Sequence, residues 1–536
     1  MKLSYIWASP EVNPINRKAR SVPFLNPINV YGRVFFFSWF GFMTAFWAWY
    51  TFPPLLSHTI KSNLGLSSAQ VANSNIVSLC ATLLIRFIAG PLCDQFGPRW
   101  VFAGLLLVGS IPLGLAPLVH DATGLYVSRF FIGILGGAFV PCMVWSTGFF
   151  DKNVVGTANA LTGGWGNAGG GITYFIMPAV FDSLKGRGYA DGQAWRITFV
   201  VPLIIVIATA LGMITLCPDT PTGKWSERHL QADVNLHAHG VTTPTDGTQT
   251  PNTTTGGVKG GVVDVPGVIT DKDSATGFPV SEEKEKDSRT VANNNKRQHE
   301  SNWDHEAAMT QEEMRATAKG EVVAKPSLAE GIRVLLCLQT AFHVSTYFCS
   351  FGGELAINSI LGAYYLKNFP GLGQTGASNW AAMFGFLNFV TRPLGGVVSD
   401  LIFKATGHNL WGKKFLIVLC GCVTGALLII IGRVDPHDSS SKVFGLVALM
   451  AVFLEAGNGA NFSLVPHVHP HANGFVSGVT GAGGNLGGVV FAVIFRFMDN
   501  GTDYARAFWI IGAIMIGLNL ALSWVKPLPA GQIGGR

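Results

Sequence analysis

Twelve apolar runs, six on either side of a long polar stretch, decide what this chain can fold into. They lie near Val34–Phe52, Val71–Leu92, Val101–Leu118, Leu125–Phe149, Gly156–Phe181 and Ile197–Cys217. The second set lies near Ile332–Ser350, with a continuation toward Leu366, then Trp380–Phe403, Phe415–Arg433, Val443–Val465, Phe475–Phe497 and Phe508–Val525. A helix of about 20 apolar residues crosses the ~30 Å hydrocarbon core of a bilayer. Only 13% of the residues are charged, against roughly 25% in an ordinary soluble domain. In lipid, each span must satisfy its own backbone hydrogen bonds, as a helix does. The expectation is an all-α membrane protein with twelve transmembrane helices in two pseudo-symmetric six-helix halves. The 65 glycines and 37 phenylalanines suit helices packed closely in lipid. The net charge of +6 is dispersed, so no nucleic-acid partner is expected.

The polar stretch, 218–328, is rich in Thr, Gly, Asn, Glu and Lys. It cannot bury enough apolar surface to fold alone and reads as a mostly disordered linker, with short helices near Glu306–Lys319. The expected division is a leader 1–33, a first half 34–217, the linker, a second half 329–526 and a tail 527–536. Basic residues crowd the leader (Lys2, Arg17, Lys18, Arg20, Arg33), the turn at Arg99, Lys152, the linker and Lys404, Lys413 and Lys414. The positive-inside rule then places both termini and the linker in the cytoplasm. On that side the sequon Asn252-Thr253-Thr254 is not expected to be glycosylated. Ser281-Glu282-Glu283 has the pattern of an acid-directed phosphorylation site. Met1–Arg20 contains no apolar core of a cleaved signal peptide. The eight cysteines fall in or beside apolar runs, and read as buried unpaired thiols.

Charged residues inside these runs are few, and two arginines stand out. Arg86 precedes Gly90 by four residues and Asp94 by eight; Arg392 precedes Gly396 by four and Asp400 by eight. An arginine within an apolar helix faces a partner, a cavity or a substrate. Asp94 opens a polar turn and marks a membrane boundary, so eight residues of helix place Arg86 roughly 12 Å deeper. The middle of the ~30 Å core is about 15 Å down. The same holds for Arg392. Two arginines at one depth, one per half, suggest a site for an anion.

A second repeat supports the first. Gly163-Gly164-Trp165-Gly166-Asn167-Ala168-Gly169-Gly170-Gly171 in the fifth run matches Gly481-Ala482-Gly483-Gly484-Asn485-Leu486-Gly487-Gly488 in the eleventh. Gly166 and Gly170, like Gly484 and Gly488, are four apart, the spacing of close helix packing. Asn167 and Asn485 occupy the same place in the two runs and read as polar groups at a central cavity.

Gly90-Pro91-Leu92-Cys93-Asp94-Gln95-Phe96-Gly97-Pro98-Arg99 resembles the signature loop between helices two and three of the major facilitator superfamily. In that family the aspartate and arginine help latch the cytoplasmic gate. The second half keeps only Gly396 and Asp400 of it. The paired glycine runs resemble the signatures of the nitrate/nitrite porter family, and Arg86 and Arg392 then match its two substrate-binding arginines. The long central insertion and Pro218-Asp219-Thr220-Pro221-Thr222-Gly223-Lys224 resemble the fungal high-affinity branch. The resemblance implies a major facilitator fold, a plasma-membrane location, nitrate, nitrite and protons as partners beside membrane lipid, and a monomer. It also implies an aromatic slot around the substrate from Phe139, Tyr347 and Phe351, with Phe46 and Trp47 as weaker candidates. Asp94, Arg99, Gly90, Asp400 and the four paired glycines would serve gating.

Nitrate suits such a site. The ion is flat and singly charged, and a guanidinium is flat with donors in a fork. Empty, the two arginines repel each other; a bound anion offsets that and lets the halves rock together. Import against a negative interior needs a driving ion. Glu354 in the seventh run and Glu455 in the tenth are the proton-carrying candidates, with His343 behind them. If none couples, nitrate/nitrite exchange is the natural mechanism, and a nitrate sensor is a more distant reading. No nucleotide loop or nucleophile–base set stands out, so no enzyme, cofactor or metal is expected. His467-Val468-His469-Pro470-His471 reads as an exposed loop.

Overall fold

The computed structural model describes residues 6–529, apart from 14–15, 152–153, 229–327, 408, 435, 437–438 and 470–472. Most of the expected linker lies outside the described residues, with its sequon, Ser281 and the segment 306–319. So do Lys152, Pro470, His471 and the tail from 530.

Twelve long helical segments follow the apolar runs. They are α1 (Val30–Trp49), α2 (Ser68–Phe96), α3 (Pro98–Leu115), α4 (Ala122–Phe149), α5 (Val155–Asn167 with Gly169–Gly186) and α6 (Asp191–Leu216). The second half has α7 (Leu338–Asn368), α8 (Gly373–Ala405), α9 (Leu410–Ile431), α10 (Ser440–Val468), α11 (Asn473–Phe497) and α12 (Tyr504–Ala521). Among the described residues, nine helices are long and apolar enough to cross a membrane. The other three, α1, α5 and α7, bury polar groups: Ser38 and Thr44; Asn159, Thr162 and Asn167; Glu354 and Asn358. With these three, the arrangement agrees with twelve spans. Large apolar side chains such as Leu84, Phe87, Val390 and Leu394 point outward, as lipid requires.

The helices depart from the runs in places. The fifth run breaks at Ala168, where a cluster of glycines offers little helix propensity. α4 passes through a 3-10 turn at Gly133–Ala138. There a side chain on Gly133 would press on the carbonyl of Ser78, and one on Gly136 would run into Thr82. The front of the seventh run forms a separate short helix, Leu328–Leu335. α2 starts on a capping box between Ser67 and Gln70.

The halves meet reciprocally. α2 packs along α11, and α8 packs along both pieces of α5. Advancing each helix number by six exchanges these two pairs, which is the two-fold pseudo-symmetry expected of the repeat.

The start of the expected linker is built into the body. Arg99 Nε lies 2.6 Å from Asp219 Oδ1, and Arg99 Nη1 donates to the carbonyls of Ile214, at 3.2 Å, and Cys217. Trp225 is buried, closes on Gly97 and donates from Nε1 to the Asp94 carbonyl at 3.0 Å. Arg228 Nη2 reaches the same carbonyl at 3.4 Å. Polar composition misreads this strap, 218–228, because one tryptophan and a few charge contacts hold it. The leader is anchored as well: Ala19 is buried and its N–H donates to the Phe149 carbonyl at 2.9 Å.

Candidate functional site

Arg86 projects from the middle of α2 and is 0% exposed. Its Nε donates to the Gly136 carbonyl at 2.9 Å, in the 3-10 turn of α4. Its Nη1 donates to the Gly481 carbonyl of α11 at 3.0 Å. Nη2 has no hydrogen-bond partner among the described residues. No carboxylate there pairs with this guanidinium, which is held by carbonyl oxygens and ring faces.

Arg392 projects from α8 and is 1% exposed. Its Nη2 donates to the Tyr347 hydroxyl at 2.8 Å, and Nη1 lies 3.7 Å from Glu354 Oε2. Nε has no hydrogen-bond partner among the described residues.

The two arginines converge on one set of rings. Arg86 Cζ is 4.8 Å from the Phe139 centroid and 5.0 Å from that of Phe351. Arg392 Cζ is 5.9 Å from Phe139, 5.9 Å from Tyr347 and 5.8 Å from Phe351. Phe139, from the first half, lies nearly parallel to Tyr347 and Phe351 from the second, with centroids 6.1 and 6.0 Å away. Tyr347 and Phe351 stack on each other at 4.9 Å. Phe462 of α10 meets Phe139 and Tyr347 edge-on, at 5.1 and 4.9 Å.

The paired glycines let the helices approach this cluster. A side chain on Gly484 would come within 2.7 Å of Tyr347 and 2.8 Å of Phe351. One on Gly488 would press on Leu355 at 3.2 Å. In the other half, Gly166 backs Phe42, which meets Phe139 at 5.5 Å, and Gly170 backs Asn358 and Phe46. Asn485 Nδ2 donates to the Gly481 carbonyl at 3.1 Å, the same oxygen that takes Arg86. Asn167 is 1% exposed, and neither polar atom of its side chain has a partner among the described residues. Phe46 stacks on Tyr50 at 4.8 Å, one layer away from the slot.

The two glutamates differ. Glu354 touches the site through Arg392 and accepts from Asn388 at 2.9 Å and Asn458 at 2.7 Å. Glu455 accepts from the Thr391 hydroxyl at 2.5 Å, beside Arg392 in sequence. His343 pairs with Asn461 at 2.5 Å.

Of the gating candidates, Asp400 bridges the halves: it takes Lys413 Nζ at 2.7 Å and the Thr157 hydroxyl of α5 at 3.1 Å. Gly90 is buried against Gly478 of α11. Asp94 and Arg99 are joined to the strap rather than to each other.

Reading of the sequence missed Asn388, Asn458 and Phe462. Asn388 stands four residues before Arg392, on the same face of one helix, and that spacing was a usable signal. Phe462 carried none among so many phenylalanines.

Comparison with known proteins bears on the family of the chain. The Major Facilitator Superfamily pattern matches residues 38–298. Elsinochrome transporter 1 of Elsinoe fawcettii is 35% identical over 99% of this chain and 100% of its own length. Nitrate transporter 2.1 of Chlamydomonas reinhardtii is 28% identical over 92% of this chain and 74% of its own. Nitrate/nitrite transporter NrtP of Nostoc punctiforme is 27% identical over 88% of each. The chain belongs to the nitrate/nitrite porter family of the major facilitator superfamily. As a member of that family it is a multi-pass membrane transporter.

Proposed function

We propose that the protein imports nitrate, and nitrite, across the plasma membrane by alternating access, holding the anion between Arg86 and Arg392. The observation that carries this reading is the convergence of two buried guanidinium groups, one per half, on the same Phe139–Phe351 ring pair. Two planar forks and two parallel rings match a flat, singly charged oxyanion in both charge and shape. With centroids 6.0 Å apart and planes 23° from parallel, the rings must part by at least about 1 Å to place a flat ion against both faces, at about 3.5 Å each. Arg86 Nη2, Arg392 Nε and the Asn167 amide supply donors not otherwise engaged. Asn485 helps hold the Gly481 carbonyl against Arg86.

Proton coupling follows from Glu354. Ionised, it competes with the incoming anion for Arg392. Protonated, it leaves Arg392 to the anion, so proton and nitrate enter together. Glu455 stands behind it through Thr391. The reading includes cytoplasmic termini and linker, a monomeric transporter, and an inner gate closed by the Asp400–Thr157 bridge and by the turn from Gly90 through Asp94 to Arg99.

Uptake into proteoliposomes tests it, with nitrate outside, an imposed pH gradient, and nitrite either absent from or trapped in the lumen. Uptake driven by the inward proton gradient alone supports symport; uptake only with trapped nitrite supports exchange on the same site. The Elsinoe fawcettii relative is named for elsinochrome. Nitrate transport that survives Arg86→Lys/Arg392→Lys, or competition by elsinochrome but not by nitrite, would sink the anion-site reading.

A further inference from the structure

A cavity of about 400 Å³, largely apolar but carrying two lysines, lies between the halves on the side of the protein opposite Asp94 and Asp400. The first half contributes the start of α2 and the segment before it, with Lys61, Ser68 and Asn75; the second contributes the end of α7 and the turn before α12, with Lys367 and Thr502. Among the described residues, no aspartate or glutamate lines it. Lys61 Nζ donates to the Ser68 hydroxyl at 2.8 Å, and Lys367 Nζ to the Thr502 carbonyl at 2.7 Å. Neither lysine has an ion-pair partner among the described residues. The nearby carboxylates lie outside the lining: Asp499 Oδ2 accepts from the hydroxyl of Thr502, which does line it, at 2.7 Å, and Asp503 Oδ1 from the Arg506 backbone N–H at 3.0 Å.

The cavity is connected to the arginine pair by the helices that form both. On α2, Asn75 stands eleven residues before Arg86, roughly 16 Å along the axis. On α7, Lys367 stands thirteen residues after Glu354, roughly 20 Å along the axis. Between the two levels, the Tyr50 hydroxyl of the first half donates to the Leu355 carbonyl of the second at 3.1 Å. Arg86 is cut off from solvent below that contact.

We infer that this cavity is a second anion site, an antechamber in which Lys61 and Lys367 collect a small oxyanion before it passes Tyr50 to the arginine pair. The inference rests on nitrate transport as proposed above. Two lysines in a lining without a carboxylate form a small basin of positive potential, which raises the local anion concentration and the rate of capture. The site straddles the halves, so it exists only while they are close on that side, and opening there releases the ion toward the deeper pair. Being near the surface, its field is screened by salt, with a Debye length of about 10 Å at 0.1 M.

The test measures nitrate uptake by proteoliposomes at low and high ionic strength for wild type, Lys61→Gln/Lys367→Gln and Lys61→Arg/Lys367→Arg. Expected in the glutamine variant is a KM raised about fivefold at low salt, kcat within about twofold, and convergence with wild type at high salt. The arginine variant, which keeps both charges, should keep the wild-type KM. A glutamine variant with unchanged KM, or one that loses only kcat, overturns the antechamber and leaves nitrate transport standing. A wild type that moves no nitrate overturns the transport reading and the antechamber with it.

Discussion

Arg86 and Arg392 occupy equivalent places in the two halves, yet their surroundings are not equivalent. Arg392 is held by Tyr347 and lies 3.7 Å from Glu354. Arg86 is held by two carbonyls and has no carboxylate partner among the described residues. The aspartates eight residues further on differ as well. Asp400 is paired with Lys413 and bridged to the other half by Thr157. Asp94 leaves Oδ1 without a hydrogen-bond partner, while its carbonyl is capped by the strap. In one half the arginine has no carboxylate neighbour and the Asp94 end is tied to the strap. In the other the arginine lies beside Glu354 and the Asp400 end is bonded across the halves. A duplicated scaffold has kept one geometry and divided the electrostatics.

Lysine substitution breaks this comparison most sharply. Arg86→Lys loses the bonds to Gly136 and Gly481 together with the planar fork. Charge-assisted bonds of about 1.5–3 kcal/mol each make a loss of about 3 kcal/mol, or about 100-fold in kcat/KM for nitrate uptake. Arg392→Lys keeps a charge beside Glu354 and should lose about tenfold in the same assay. Equal losses would mean that Glu354 does not divide the two sites.

Glu354→Gln sharpens the comparison by making Arg392 resemble Arg86. With the competing carboxylate gone, the nitrate KM should fall several-fold, by up to about tenfold. Uptake should lose its acceleration by an inward proton gradient, while nitrate/nitrite counterflow persists. The sign follows from the chemistry: only a protonated Glu354 frees Arg392, so wild-type affinity should rise as pH falls and the variant's should not. Glu455→Gln, one contact removed through Thr391, should keep the pH response. A reversed pattern between the two would move the proton carrier to Glu455.

The inner ends differ by less. Asp400→Asn leaves the Lys413 ammonium, 2% exposed, facing an amide. Breaking a fully buried pair costs about 3–5 kcal/mol; the Asp400 side chain is 22% exposed, so about 2 kcal/mol is the discounted expectation. Asp94→Asn removes no ion pair of that closeness and should cost less than about 1 kcal/mol. Thermal unfolding in detergent orders the two variants, and the reverse order would show that the strap, not the Asp400 bridge, holds the inner side.

How far the sequence already displayed this can be judged residue by residue. The spans were legible because lipid demands long apolar runs, and the arginines because duplication repeated their offset to glycine and aspartate. The breaks at Ala168 and Gly133–Ala138 were not, since a hydrophobic run looks the same whether its helix is regular or interrupted. Glu354 and Glu455 looked alike in sequence. Only the rotation of α7 and α10 about their axes decides that one reaches Arg392 and the other Thr391. The central polar segment read as linker from its first residue, because composition averages over the few side chains, Trp225, Asp219 and Arg228, that dock its start.

That docked start also has a counterpart that sequence comparison of the halves does not reveal. At the head of α3, Arg99 donates to carbonyls at the end of α6, Ile214 and Cys217. At the head of α9, Lys414 donates to the carbonyls of Ser523, at 2.8 Å, and Val525, just past α12. Each half therefore ties the start of its third helix to the end of its sixth with one cation, but with different residue types at different offsets from the helix start. Only the first half adds Asp219 and Trp225. Trp225→Ala should accordingly unpin residues 218–228 and leave the shared tie intact. Hydrogen exchange at the amides of Trp225 to Arg228 should rise tenfold or more for a loss of about 1.5 kcal/mol, with the unfolding temperature nearly unchanged. Exchange that rises equally along α3 and α6 would mean the strap supports the tie rather than decorating it. The two inner ends would then differ in what holds them together, and not merely in what is added.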